Sequence, residues 1–153
     1  AIDAGHGQLD KTLIEDVRVT NLEGVNARYI DDGTLPEKCD IAVMDLSFIS
    51  QTLVVPSVPK ILKPNGIFVT LIKPQFECGR SALGKNGIVK DKKMHIMAMR
   101  QVAGVCVSSG LMPKKITVSQ IKGGDGNREF LLYARLGGEN LVCDADIRGA
   151  ADE

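Results

Sequence analysis

The 153 residues carry 19 Lys plus Arg against 19 Asp plus Glu, with 44% hydrophobic and 25% charged side chains, the profile of one globular domain able to bury a core. A formal net charge of zero excludes an overall positive field, so any attraction to nucleic acid has to be local. Cys39, Cys78, Cys106 and Cys143 form no C-x-x-C pair, which argues against a zinc or thioredoxin-like site and for buried, reduced cytosolic thiols. With no run of about 18 apolar residues and no charged-then-apolar leader, neither a membrane span nor a signal peptide is expected, and the setting is read as cytoplasmic.

The chain opens on AIDAGHGQLDKTL, a short strand over Ala1 to Asp3 that leaves through glycines into a helix over Gln8 to Glu15. Strands follow at Val17 to Leu22 and Asp40 to Asp45, then a helix over Ser50 to Leu62 and a strand over Gly66 to Ile72. The runs IAVMD and GIFVTLI are apolar without alternation, as in parallel strands covered on both faces by helices. A long helix is predicted over Lys92 to Ser109, where Met94, Met97, Ala98, Val102, Val105 and Cys106 fall at steps of three and four and read as core. Strands over Lys115 to Ile121 and Glu129 to Leu136 flank IKGGDGNREF, whose glycines fit a hairpin-like loop, so the sheet should end in an antiparallel pair. After Arg135 the chain turns acidic and glycine-rich, which predicts a domain over residues 1–136 and a flexible tail over 137–153. The alternation of apolar runs and helical periods defines an α/β fold with a mostly parallel sheet.

Such a sheet binds its ligand at the carboxyl ends of its strands, which singles out Asp3, Glu23, Asp45, Lys73 and, at the start of the last strand, Glu129. Each has a plainer reading. Asp45 and Ser47 could cap the next helix, Lys73 could be a solvated lysine ahead of a strand-ending Pro74, and Glu129 alone reads best as a surface carboxylate beside Arg128. Brought together, a lysine between carboxylates in a partly dry cleft can be tuned to orient a hydroxyl or take its proton. Phe48 and Phe76, close after Asp45 and Lys73, are either core or a stacking surface for a base. His6 and His95 read as surface residues without a ligand role, and no metal site is expected.

MDLSFIS, LIKPQFECGR, GIVKD and GGDGNREFLL, in that order, resemble the TlyA family of rRNA 2′-O-methyltransferases, also called hemolysins, whose catalytic domain is FtsJ-like. The likeness runs from Ala1 to about Leu136. It implies a Rossmann-like class I methyltransferase sheet, S-adenosylmethionine as cofactor and ribosomal RNA or a ribosomal subunit as partner. It also implies a Lys-Asp-Lys-Glu tetrad in which Asp45, Lys73 and Glu129 match the last three members. Read alone, DAGHG looks like a glycine-rich cofactor loop, with Glu23 placed 23 − 3 = 20 residues beyond Asp3 as a ribose-binding acid. The resemblance instead makes AIDAGHGQL the second strand and its exit. Asp3 and Gly5 then lie by the cofactor's ribose or methionine end, Glu23 by the adenine, and Asp45 also faces the cofactor.

On that alignment the sequence is expected to be a piece of a longer protein. The first strand, the main glycine loop, the first tetrad lysine and a small N-terminal RNA-binding domain would all precede Ala1. A vacancy of roughly 10 Å is then expected between the Asp3 and Asp45 strands, along with modest stability. The local basic stretch KPQFECGRSALGKNGIVKDKK supplies candidate RNA contacts in Phe76, Arg80 and Lys85. Three other functions compete. DLSF loosely matches the acidic-Pro-Pro-aromatic motif of base N-methyltransferases but lacks both prolines, a membrane-acting hemolysin would need an apolar span or basic amphipathic helix, and a non-catalytic RNA-binding module would need no tetrad.

Overall fold

The apolar runs around Val43 and Val69 become the two parallel strands that organise the molecule. The computed structural model describes residues 1–124 and 126–153, with Lys85 described by its backbone alone. In chain order the elements are β1 (Ile2–Asp3), α1 (Lys11–Ile14), β2 (Leu22–Glu23), β3 (Cys39–Met44), β4 (Leu62–Ile72), α2 (Pro74–Glu77), α3 (Lys92–Ser108), β5 (Leu111–Val118), β6 (Phe130–Leu136) and α4 (Asp144–Asp152). Four strands form one sheet in the order β3-β4-β6-β5. Its β3 and β4 run parallel, and β6 lies antiparallel to β5, as the hairpin reading required, and, inserted between β5 and β4, to β4 as well.

The first two strands stand apart from that sheet. β1 and β2 pair with each other in parallel, Ile2 opposite Leu22 and Asp3 opposite Glu23. The Asp3 strand therefore does not pair with the Asp45 strand, and β3 keeps one edge free among the described residues. The strand expected over Val17 to Leu22 shrinks to two residues. Asp16 accepts from the Arg18 backbone N–H and guanidinium, which turns the chain and leaves Val17 fully exposed. The helix expected over Gln8 to Glu15 starts only at Lys11, where the Asp10 side chain accepts from the Thr12 N–H. Over Ser50 to Leu62 the chain makes 3-10 turns, Gln51–Leu53 and Val55–Ile61, because Pro56 and Pro59 cannot donate to an α-helical ladder.

The core sits on one face of the sheet. Phe68, Ile72, Phe130, Leu132, Ala134 and Leu111 pack there against Ala98, Met99, Val102 and Cys106 of α3. Of the predicted α3 stripe, Ala98, Val102 and Cys106 are buried and Val105 packs against them, whereas Met94 is half-buried and Met97 is exposed, with Met99 in the core instead. Coverage of both faces by helices does not hold. On the opposite face Ile41 is 56% and Val43 80% exposed. The thiols are all free but not all buried. Cys143 is exposed, Cys39 and Cys78 are half-buried, and burial pushes Cys78 up to about 11 and Cys106 to about 12.

The tail reading fails for residues 144–152. They form α4, with Ile147, Ala150 and Ala151 buried in the core. Asp146 caps the Cys143 N–H at 2.8 Å, and Asp144 ties α4 to Arg100 of α3 while pairing with Arg148 one turn on in its own helix. Acidic and glycine-rich composition hid an apolar stripe at spacings of three and four. His95 also departs from its surface reading: it is buried, with Nε2 2.9 Å from the Val89 carbonyl.

Candidate active site

Strand direction alone gathers the polar residues. The parallel strands β3 and β4 end side by side, with Met44 opposite Thr70. The antiparallel β6 therefore begins where β4 ends, Phe130 opposite Ile72, and β5 ends at the same level, Val118 opposite Phe130. Asp45, Lys73, Ser119 and Glu129 each lie one residue beyond these ends and line one cleft of about 590 Å³. Ser47, Phe48, Gln75, Phe76 and Gly123 share it.

Within the cleft, Lys73 Nζ lies 2.7 Å from Asp45 Oδ1 and donates to Ser47 Oγ at 3.2 Å. The lysine side chain is only 14% exposed whereas the aspartate is 63% exposed, so the pair spans the boundary between a dry floor and solvent. Asp45 is thus no helix cap: Ser50 caps the following turn by accepting from the Thr52 N–H. Nor is Glu129 a surface carboxylate, at 6% exposure. Its Oε1 accepts from Gln75 Nε2 at 3.4 Å and packs so closely on Gly123 that a Cβ there would stand 2.6 Å away. The oxygen of that amide, Gln75 Oε1, is buried without a partner among the described residues.

Glu77 fastens the loop that carries Asp45 and Ser47. It accepts from Ser50 Oγ at 2.6 Å and from the Gln51 N–H at 2.8 Å, and burial raises its pKa against those two hydrogen bonds. Gln51 in turn donates to the Leu71 carbonyl of β4 and accepts from Thr70 Oγ1. Phe48 is 92% exposed, has φ at 63°, and stacks obliquely on Phe76 with centroids 5.2 Å apart. A non-glycine residue held at positive φ is costly by about 1–3 kcal/mol and concentrates at functional sites.

Asp3, Gly5 and Glu23 do not line this cleft; they form a separate station at the ends of β1 and β2. Asp3 Oδ1 accepts from the Gly5 N–H at 2.7 Å, and Glu23 Oε2 accepts from the Gly7 N–H at 3.0 Å. That backbone hydrogen bond is the first cause holding the Glu23 carboxyl below its ordinary range. Among the described residues Glu23 Oε1 is a second buried oxygen without a hydrogen bond of its own, although Asn21 and the Gln8 N–H also help hold the carboxylate charged. Of the RNA candidates, Phe76 lines the cleft, Arg80 is exposed outside it, and the Lys85 side chain lies outside the described residues. Sequence reading missed Gln75 and Glu77, whose partners are remote in the chain, and Gly123, whose close approach to Glu129 is set by the fold of the intervening loop. No cluster of metal-ligating residues and no helix long and apolar enough to cross a membrane occurs among the described residues.

The sheet is mixed, of the α/β type, with a lysine and two acids converging at one end of it. The chain belongs to the FtsJ-like methyltransferase family, whose model matches residues 1–136. It is 39% identical over 140 residues to YqxC of Bacillus subtilis, described as an rRNA methyltransferase, covering 91% of this chain and 50% of that protein. To the 16S/23S rRNA (cytidine-2′-O)-methyltransferase TlyA of Mycobacterium tuberculosis it is 35% identical over 135 residues, 88% of this chain and 50% of that one. A Lactococcus lactis structure described as a hemolysin superposes with a TM-score of 0.91 at 35% identity, covering 99% of this chain and 73% of that chain. The chain spans about half the length of the curated relatives it matches.

Proposed function

We propose that this chain is the catalytic part of an S-adenosylmethionine-dependent methyltransferase that modifies a ribose 2′-hydroxyl of ribosomal RNA in the cytoplasm. One observation carries the reading: the Lys73 amine, largely withdrawn from water, is fixed 2.7 Å from Asp45 in a cleft shared with Glu129. Support for the substrate class comes from TlyA, whose name states cytidine-2′-O methylation of rRNA.

The residues present fit the cofactor. Glu23 Oε1, buried at the end of β2 and without a hydrogen bond of its own among the described residues, suits a donating ribose hydroxyl, with Asp3 opposite it in the strand pair and the Gly5 backbone beside them. Bound there, S-adenosylmethionine supplies an electrophilic methyl group on a sulfonium. Asp45 orients the Lys73 amine, and Lys73 Nζ aligns the 2′-hydroxyl and, as the free amine, takes its proton. Glu129, steadied by Gln75, faces the same hydroxyl from β6. Phe48 and Phe76 offer a stacked aromatic surface on which the target base rests.

Product analysis tests the reading. Ribosomal RNA methylated by the protein is digested to nucleosides and resolved by mass spectrometry. A methyl group on ribose is the expected product. A methyl group on a base would overturn the proposal and restore the N-methyltransferase alternative, in which Lys73 has no task.

A further inference from the structure

The loop between β5 and β6 has two working faces. Ile121, Gly123 and Glu129 look into the candidate catalytic cleft, whereas Lys122 and Arg128, interleaved with them in sequence, line a second cleft of about 540 Å³. The far wall of that second cleft carries Lys90 and Lys92, at the entry to α3. Among the described residues lining it, four cations stand against the single carboxylate of Asp152, which pairs with Lys92.

The cationic wall is built rather than incidental. Buried Asn127 accepts from the Val89 N–H at 3.0 Å and donates to the Gly87 carbonyl at 3.2 Å, which locks the loop onto the segment preceding Lys90. Arg128 Nη1 donates to the Ala151 carbonyl at 3.2 Å, so the guanidinium is anchored from one side, and its other donors make no hydrogen bond among the described residues. In a chain of zero net charge, this local excess is where an anion is attracted.

We propose that this second cleft binds the phosphodiester backbone of the RNA next to the target nucleotide. The two clefts share one loop as their dividing wall, so a strand whose ribose reaches Lys73 continues over that wall and lays its phosphates against Lys90, Lys122 and Arg128. Phosphate contacts of this kind fix register without reading sequence. The inference rests on the RNA-methylation reading, since it takes RNA as the substrate, but binding is measured without turnover.

The test is fluorescence anisotropy of a labelled RNA stem-loop titrated with the full chain at several salt concentrations. The variant Lys90→Glu/Lys122→Glu is compared with Lys38→Glu/Lys63→Glu, an equal charge change where β3 and β4 begin. Each lost phosphate contact lowers the slope of log affinity against log salt by about 0.7–0.9. The cleft variant should therefore lose about 1.4–1.8 in slope and roughly tenfold or more in affinity at 0.1 M salt, and Lys90→Gln/Lys122→Gln should lose a comparable slope. Equal losses in both reversal variants, an unchanged slope, or no RNA binding by the unaltered chain at low salt would overturn the proposal. Base methylation found by product analysis would refute the ribose reading yet leave this result standing.

Discussion

Glu77 shows how much of the site depends on a residue that touches no substrate. Its two oxygens hold the Ser50 hydroxyl and the Gln51 N–H, and through them the loop bearing Asp45. Glu77→Ala leaves the buried Gln51 N–H without its acceptor and strips one partner from the Ser50 hydroxyl, which keeps Thr52 Oγ1 at 2.7 Å, so chemical denaturation should show a loss of about 1–3 kcal/mol. Burial raises the Glu77 pKa above its unfolded value, so the cost of the charged form is present above the folded pKa and is relieved as pH falls through it. Relative to Glu77→Gln, which cannot titrate, the wild type should gain stability as pH falls from neutrality towards the ordinary carboxylate range. A stability difference independent of pH would contradict this. Lys73, Asp45 and Glu129 were readable because strand ends and the family resemblance point to them. Glu77 was not, because its role is set by partners 26 and 27 residues earlier, a contact that no local pattern announces.

At the scale of elements, α4 is the clearest instance of packing overriding composition. Ile147 is buried between α4 and the core, so Ile147→Ala should cost about 2–5 kcal/mol in an unfolding titration, whereas a loose tail would register almost nothing. The long helix α3 and the strands β3 to β6 were readable within a few residues because their apolar periods are strong. The weaker elements were not. Two prolines broke the Ser50 to Leu62 helix into 3-10 turns, and the Asp16–Arg18 turn consumed most of a predicted strand. Short apolar runs become strands only where a partner is in reach, and β2 finds only Ile2–Asp3.

Over the whole molecule, one sheet face holds the core while the other leaves Ile41 and Val43 open, and the chemistry gathers at one end. The α/β class, the antiparallel finish and the absence of pairing between the Asp3 and Asp45 strands were all expected from the sequence. One-sided coverage was not, because unbroken apolar runs say that a strand is apolar on both faces without saying what covers each. Charge is arranged just as unevenly, neutral in sum but cationic around the cleft beside the site, so RNA binding should be strongly salt-dependent for so neutral a protein. The account as a whole stands on the amine held at the end of β4. Its most direct test is methyl transfer from labelled S-adenosylmethionine to ribosomal RNA by the Lys73→Ala variant of the protein, with cofactor binding followed by calorimetry. The account predicts a fall in turnover of about 100-fold or more with cofactor affinity retained; turnover equal to wild type would contradict it.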